Sequence, residues 1–427
     1  MSKKVVLAFS GGLDTSVAVK WLQEHYGMEV VTLTVDLGGS SPKDLENVKQ
    51  KARKIGASKA IVIDAREVFV RYFILPALQA GAIYEGVYPL STALGRPLIA
   101  KLLAEVAEEE GAEAVAHGCT GKGNDQVRFE LTLQAFAPQL KIIAPLREWG
   151  MNREDAVEYA RKHGVPIEAG KKSPYSIDEN LWGRSIECGA LEDPWAEPPE
   201  DVWQWTKSVK DCPDREEGIE IGIEKGVPFR INKDHMNGIQ IIERLNHLGG
   251  LHGIGRIDHV ESRVVGIKSR EVYEAPAAVI LHKAHRALES LVMTREAMRF
   301  RDIVANQYAD IIYNGQWFSA LHLDLVAYVL SAQRVVTGAV KMKLLKGSAT
   351  VAGRRSPLSL YAHELATYDK EDQFDHKAAE GFTKIYGLPL KTQSKIQSQV
   401  IFGTHEIDLA SVLPPRLKEI TEGKKTC

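Results

Sequence analysis

The chain has 427 residues, more than one typical domain, and its 44% hydrophobic and 26% charged content is that of an ordinary globular protein. A formal net charge of −2 supplies no global positive field for nucleic acid, and no apolar run reaches the roughly 20 residues needed to cross a bilayer. The four cysteines (Cys119, Cys188, Cys212, Cys427) form no Cys-x-x-Cys pair, which argues against a zinc site, a dithiol motif or a disulfide framework and fits a reducing compartment. The N-terminus leads straight into a strand and a Gly-rich turn, so no targeting peptide is expected and the cytoplasm is the expected location.

Strands and helices alternate at first. Lys4–Phe9 is a short apolar run ending in Ser-Gly-Gly, as a buried parallel strand would be, and Leu13–Tyr26 carries apolar residues at helical spacing. Further strands are expected at Glu29–Val35, Ala60–Ile63, Glu113–Ala116 and Lys141–Ala144, with helices at Pro97–Glu110 and Arg153–His163. Repeated βα units imply an α/β domain with a parallel sheet, spanning residues 1–170. Gly170–Pro199 has no clean period and reads as a long ordered loop into a second, α+β domain at 171–368. There, Ile219–Ile223 and Arg256–Gly266 read as strands, Met236–Leu248 and Ala277–Asn306 as helices, and Val335–Leu345 with Ala349–Ala352 as a hairpin. A polar C-terminal arm at 369–427, with a helix at Asp375–Ile385, is of a kind that docks on a neighbouring subunit.

Ser10-Gly11-Gly12-Leu13-Asp14-Thr15-Ser16 follows the first strand and opens the first helix. Paired glycines let the backbone approach an anion, the free amides of the helix start point at it, and the helix dipole favours its charge. Ser10, Thr15 and Ser16 add hydroxyls, and Asp14 is placed to orient the turn or a magnesium ion. The pattern is not a Walker A loop: Gly121-Lys122 is followed by Gly123, and Ala116 stands at the first glycine position. Gly253-Ile-Gly255 is not a dinucleotide fingerprint, because Asp258 occupies the third glycine position.

A second polar, Gly-rich stretch, Gly118–Glu130, follows the fourth strand and so lies on the same rim of the sheet. Thr120, Lys122, Asn124 and Arg128 can hold carboxylates or phosphates, and Asp125 can accept from an ammonium group. His282 and His285 read as surface or core histidines, and no metal-ligand set is expected.

Ser-Gly-Gly-x-Asp-Thr-Ser resembles the pyrophosphate loop of the N-type ATP pyrophosphatases. Ala8–Ser16, Tyr88–Pro97, Gly118–Glu130, Tyr175–Trp195, Gly253–Pro276 and Gly353–Tyr361 together resemble the argininosuccinate synthetases, over almost the whole chain up to about Leu390. The resemblance implies ATP binding by Ala8, Phe9, Ser10, Gly11, Gly12, Leu13, Asp14, Thr15, Ser16, Val35 and Gly118. It implies citrulline contacts at Tyr88, Asn124, Arg128, Ser176, Ser185, Glu261 and Tyr273, and aspartate contacts at Thr92, Thr120, Asn124 and Asp125. Taken alone, Tyr88 and Tyr273 read as core aromatics, Ser176 and Ser185 as helix caps, and Glu261 as an exposed strand carboxylate; the motif context reverses those readings. Cys119, Cys188, Ser91, Ser262 and Gly39 depart from the family pattern; at Cys119 and Cys188 a small alanine or glycine is expected.

The implied function is ligation of citrulline and aspartate with ATP and Mg2+, giving argininosuccinate, AMP and pyrophosphate through a citrullyl-adenylate, a step of arginine biosynthesis and the urea cycle. Asp14 and Asp125 are the candidate catalytic residues. A homotetramer is implied, with small-molecule partners only. The alternatives are a nucleotide-binding regulator or another adenylating enzyme of the same ATP class. A tRNA-modifying enzyme would want cysteine pairs and a basic surface, and an amidotransferase a glutaminase segment; neither is evident.

Overall fold

The computed structural model describes residues 3–166 and 174–402. Two compact units are present, the first ending at Leu360 and the second beginning at Tyr361.

In the first unit, β1 (Lys4–Ala8), β2 (Glu29–Asp36), β3 (Lys59–Asp64), β4 (Ala114–Ala116) and β5 (Lys141–Ile143) form a parallel sheet in the order β3-β2-β1-β4-β5. The two-residue period of a strand sends Val5 and Leu7 into one helix-covered core and Val6 into the other, and all three are fully buried. Burial on both faces is why the strands read as continuous apolar runs. The chain winds outward from β1 to β3, then returns to place β4 on the other side of β1. The order therefore reverses between β1 and β4, leaving a crevice at their carboxyl ends.

The loop expected at Gly170–Pro199 holds over residues 188–199, which carry turns and a short 3-10 stretch but no strand, and fails before them. Residues 170–173, with the expected domain boundary at 170, lie outside the described residues, but β6 (Ser176–Asn180) and β7 (Gly183–Glu187) form an antiparallel hairpin. Their outward-alternating residues are mostly polar, which hid the strand period. Next come β8 (Glu217–Glu224), β9 (Val227–Ile231), β10 (Asp234–His235), β11 (Arg256–Ser262), β12 (Lys268–Glu274), β13 (Gly338–Leu345) and β14 (Ser348–Arg355). One antiparallel sheet runs β10-β9-β8-β13-β14 and another β11-β12-β7-β6. The strand expected at Arg256–Gly266 stops at Ser262, and Gly266 turns the chain at φ 87°.

The single helix expected at Ala277–Asn306 is two, Pro276–Val292 and Arg295–Tyr313. Met293 is extended, and the Thr294 side chain accepts from the Ala297 amide to start the second helix. The helix expected from Pro97 begins earlier, at Ser91.

In the second unit, the Asp375 carboxylate accepts from the amides of Lys377 and Ala378 and starts a helix at His376–Tyr386, followed by Leu388–Phe402. The first of these helices buries no residue, and Phe382, Ile385 and Tyr386 form an exposed apolar row at helical spacing. Residues 403–427 of the expected arm lie outside the described residues. No helix among the described residues is long and apolar enough to cross a membrane.

Candidate active site

The loop after β1 is built to present backbone. Gly11 adopts φ 80°, and a Cβ there would stand 3.0 Å from Cγ2 of Val48. The helix Leu13–Tyr26 starts at Gly12 with no side-chain cap, so its first amides stay available. Other helices do the opposite: Ser41, Asn152 and Asn237 each close a capping box on the helix they start. Ser10 and Thr15 hydroxyls lie 3.1 Å apart, the Ser16 hydroxyl donates to the Gly11 carbonyl, and Lys51 Nζ donates to the same carbonyl at 2.6 Å. Gly118, at the end of β4, lies so close that a Cβ would stand 2.9 Å from the Thr15 side chain. The β1 and β4 loops therefore form one rim.

Asp125, at the start of the uncapped helix Asp125–Phe136, accepts from Arg96 Nε at 2.7 Å and from Arg128 Nη1 at 2.9 Å. Burial works against its charge, but the two guanidinium groups outweigh burial and hold the carboxyl below its usual range. A carboxylate held low is a poor proton acceptor near neutrality. Arg96 also pairs with Asp178 on β6. Burial pushes the Cys119 thiol well up, away from the reactive thiolate.

Register assembles the rest. In the β11-β12-β7-β6 sheet, Tyr273 stands opposite Ser185, Ser185 opposite Asp178, and Glu187 opposite Ser176. Alternate residues share a face, so Glu271, Tyr273, Ser185, Glu187, Ser176 and Asp178 all point one way, while Ile186 and Val272 pack into an apolar cluster on the other side. Glu261 of β11 joins them. It is 1% exposed, not an exposed strand carboxylate, and Ser176 and Ser185 are strand residues, not helix caps. Glu261 Oε1 accepts from the Tyr313 hydroxyl at 2.7 Å and from Asn124 Nδ2 at 3.3 Å, and its Oε2 accepts from the Tyr273 hydroxyl at 2.8 Å. Tyr88 stacks on Tyr273 with ring centroids 4.2 Å apart, and its hydroxyl accepts from the Thr92 amide. The Thr92 and Ser185 hydroxyls lie 3.0 Å apart, so the two expected amino-acid sets adjoin.

The sheet face and the rim line one cavity of about 640 Å³. Ala8, Phe9, Ser10, Asp14, Thr15, Val35 and Gly118 line it, as do Tyr88, Thr92, Thr120, Asn124, Asp125, Arg128, Ser176, Ser185, Glu261 and Tyr273. Gly11, Gly12, Leu13 and Ser16 shape the loop without lining the cavity. Sequence reasoning did not single out Arg96, Lys51, Tyr313, Arg263 or Glu271. Arg96, Arg263 and Glu271 lie inside family-like segments; Tyr313 ends a long helix and carries no local signal. His285 is buried beside Glu289 on the Pro276–Val292 helix, and burial pushes His282 down to about 3.

Residues 4–166 match the arginosuccinate synthase N-terminal HUP domain, and residues 175–393 match the arginosuccinate synthase C-terminal domain. The chain is 56% identical over 397 residues to the argininosuccinate synthase of Dehalococcoides mccartyi, covering 93% of this chain and 97% of that one. It is 57% identical over 396 residues to that of Geobacillus kaustophilus (93% and 97% covered) and 56% identical over 395 residues to that of Symbiobacterium thermophilum (92% and 98% covered). A phosphate-type loop and an amino-acid-sized polar face on one cavity, within a chain that the two domain models match over residues 4–166 and 175–393, place the protein: it belongs to the argininosuccinate synthase family.

Proposed function

We propose that this chain ligates L-citrulline and L-aspartate to argininosuccinate, using ATP and releasing AMP and pyrophosphate, as a step of arginine biosynthesis. The observation that carries the reading is the single cavity in which an uncapped, glycine-built helix start faces a buried carboxylate–phenol–guanidinium network. The first suits a pyrophosphate and the second suits amino-acid head groups.

A ureido group is a poor electrophile with a poor leaving group, and adenylation solves both problems. The ureido oxygen attacks the α-phosphate and pyrophosphate departs; the aspartate amine then attacks the ureido carbon and AMP departs. Ala8–Ser16, Val35 and Gly118 hold the nucleotide. Asp14, exposed at the loop and lining the cavity, suits the magnesium of Mg-ATP, which keeps most of its waters and needs one or two carboxylates beside the phosphates. Bound there, the ion would neutralise phosphate charge. Tyr88, Asn124, Arg128, Ser176, Ser185, Glu261 and Tyr273 receive citrulline, and Thr92, Thr120, Asn124 and Asp125 receive aspartate. Asp125 orients the aspartate ammonium and the two arginines. Because it is held low, we assign the amine's proton to an oxygen of the departing adenylyl phosphate. The chain's work is positioning and charge stabilisation, as in other phosphate-centred transfers.

The apolar row Phe382, Ile385 and Tyr386 supports a homo-oligomer, a tetramer by family, with the second unit as its oligomerisation arm. Free Cys119, Cys188 and Cys212 suit a cytoplasmic location. Incubation with Mg-ATP, citrulline and aspartate, with identification of the nucleotide product, tests the reading. AMP and pyrophosphate that require both amino acids support it. ADP, or ATP binding without turnover, overturns it in favour of another ATP enzyme or a nucleotide-binding regulator.

A further inference from the structure

The acidic side of the cavity holds more acceptors than protons. The Tyr273 hydroxyl carries one proton, yet Glu261 Oε2 and Glu271 Oε2 lie 2.8 and 2.9 Å from it. Only one carboxylate can accept that proton. The other oxygen of Glu261 is already served by Tyr313 and Asn124. Arg263 is shared among three carboxylates: it donates to Glu271 Oε1 at 3.0 Å, pairs with Glu187, and stands 3.9 Å from Glu261. Tyr88, stacked on Tyr273, adds no cation, and Arg128 gives Nη1 to Asp125. Burial, then the charges of Glu261 and Glu187, push the Glu271 carboxyl up to about 8.

A second observation points to the ligand. Arg128 is 3% exposed and lines the same cavity, and its buried Nη2 has no hydrogen-bond partner among the described residues. A buried cationic donor without a partner calls for an anionic group. An unpartnered guanidinium nitrogen and an excess of carboxylates in one cavity complement an amino-acid zwitterion.

Resting on the citrulline reading above, we propose that Glu271 joins Glu261 in holding the α-ammonium group of citrulline, and that one proton shared by this carboxylate pair leaves for solvent as the ammonium arrives. Before binding, protonated Glu271 donates to the Tyr273 oxygen, and Tyr273 donates to Glu261. After binding, both are carboxylates, and the N–H donors of the ammonium take over the acceptor left by the departed proton. At the carboxylate pair one positive charge enters and one leaves, so the charge there is conserved. Citrulline's own carboxylate meets Arg128.

The test is isothermal titration of citrulline into the full-length protein with a non-hydrolysable ATP analogue bound, at neutral pH, in two buffers of different ionisation enthalpy. The expected result is release of about one proton per citrulline, fading above the Glu271 titration range. In Glu271→Gln, an isostere of the protonated acid, release falls towards zero and citrulline binds roughly tenfold more weakly, while the ATP analogue binds unchanged. Citrulline binding with no buffer-dependent heat, or equal release in Glu271→Gln, overturns the proposal alone. Failure of citrulline to bind to protein that holds the ATP analogue overturns the substrate reading beneath it.

Discussion

At the nucleotide end of the cavity the protein presents backbone; at the amino-acid end it presents side chains. The nucleotide end is a positive-φ glycine, an uncapped helix and the close approach of Gly118 to Thr15. The amino-acid end is Glu261, Tyr273, Tyr313, Asn124 and Arg128, drawn from four separate elements and held by each other's hydrogen bonds. A phosphate is a symmetric anion that any array of amides can hold, whereas a zwitterion needs a cation and an anion at fixed places. Damage should therefore divide the two ends cleanly.

The largest effect is expected where the amino-acid face is anchored. Glu274, fully buried, accepts from Arg184 at 2.8 Å and from the amides of Gln204, Trp205 and Thr206, tying β12 and β7 to the following loop. Glu274→Ala removes the fully buried carboxylate partner of the Arg184 guanidinium and the acceptor of three loop amides, and should cost about 3–5 kcal/mol in a denaturant titration. Within the cavity, Glu261→Gln breaks a charge shared by three donors. It should lower kcat/KM for citrulline by about 10²–10³ while leaving nucleotide binding in place. Equal losses for both ligands would erase the division.

Gly11→Ala probes the other end. Its φ of 80° and the 3.0 Å approach to Val48 should raise the KM for ATP roughly tenfold without moving citrulline affinity. The smallest effect is expected at Cys188, which adopts φ 74° and ψ −179°, a region that glycine occupies without strain. Cys188→Gly should raise stability by about 1 kcal/mol in thermal unfolding, with no change in activity. A loss of stability would mean that the thiol's packing outweighs the strain.

The same contrast explains what could be read from the chain. The parallel sheet and its phosphate loop were legible because strand, glycines, hydroxyls and helix are contiguous between Lys4 and Tyr26. The expected helix bounds there match the structure. The β6–β7 hairpin was read as a loop because a polar site face removes the apolar alternation that marks a strand. Tyr313 and Arg96 were missed because their roles depend on partners 189 and 82 residues away, which no local pattern encodes. Cys188 showed the reverse: the expectation of a small residue there rested on resemblance, and the backbone supplies its reason in a positive φ.

The most direct measurement follows the ureido oxygen. Citrulline labelled with 18O in that position is incubated with Mg-ATP, aspartate and the full-length protein, and the AMP is examined by mass spectrometry. If the ureido oxygen attacks the α-phosphate, one label per turnover appears in the AMP phosphate and none in pyrophosphate. Unlabelled AMP formed alongside argininosuccinate would contradict adenylation of citrulline, and with it the pairing of a nucleotide end and an amino-acid end in one cavity.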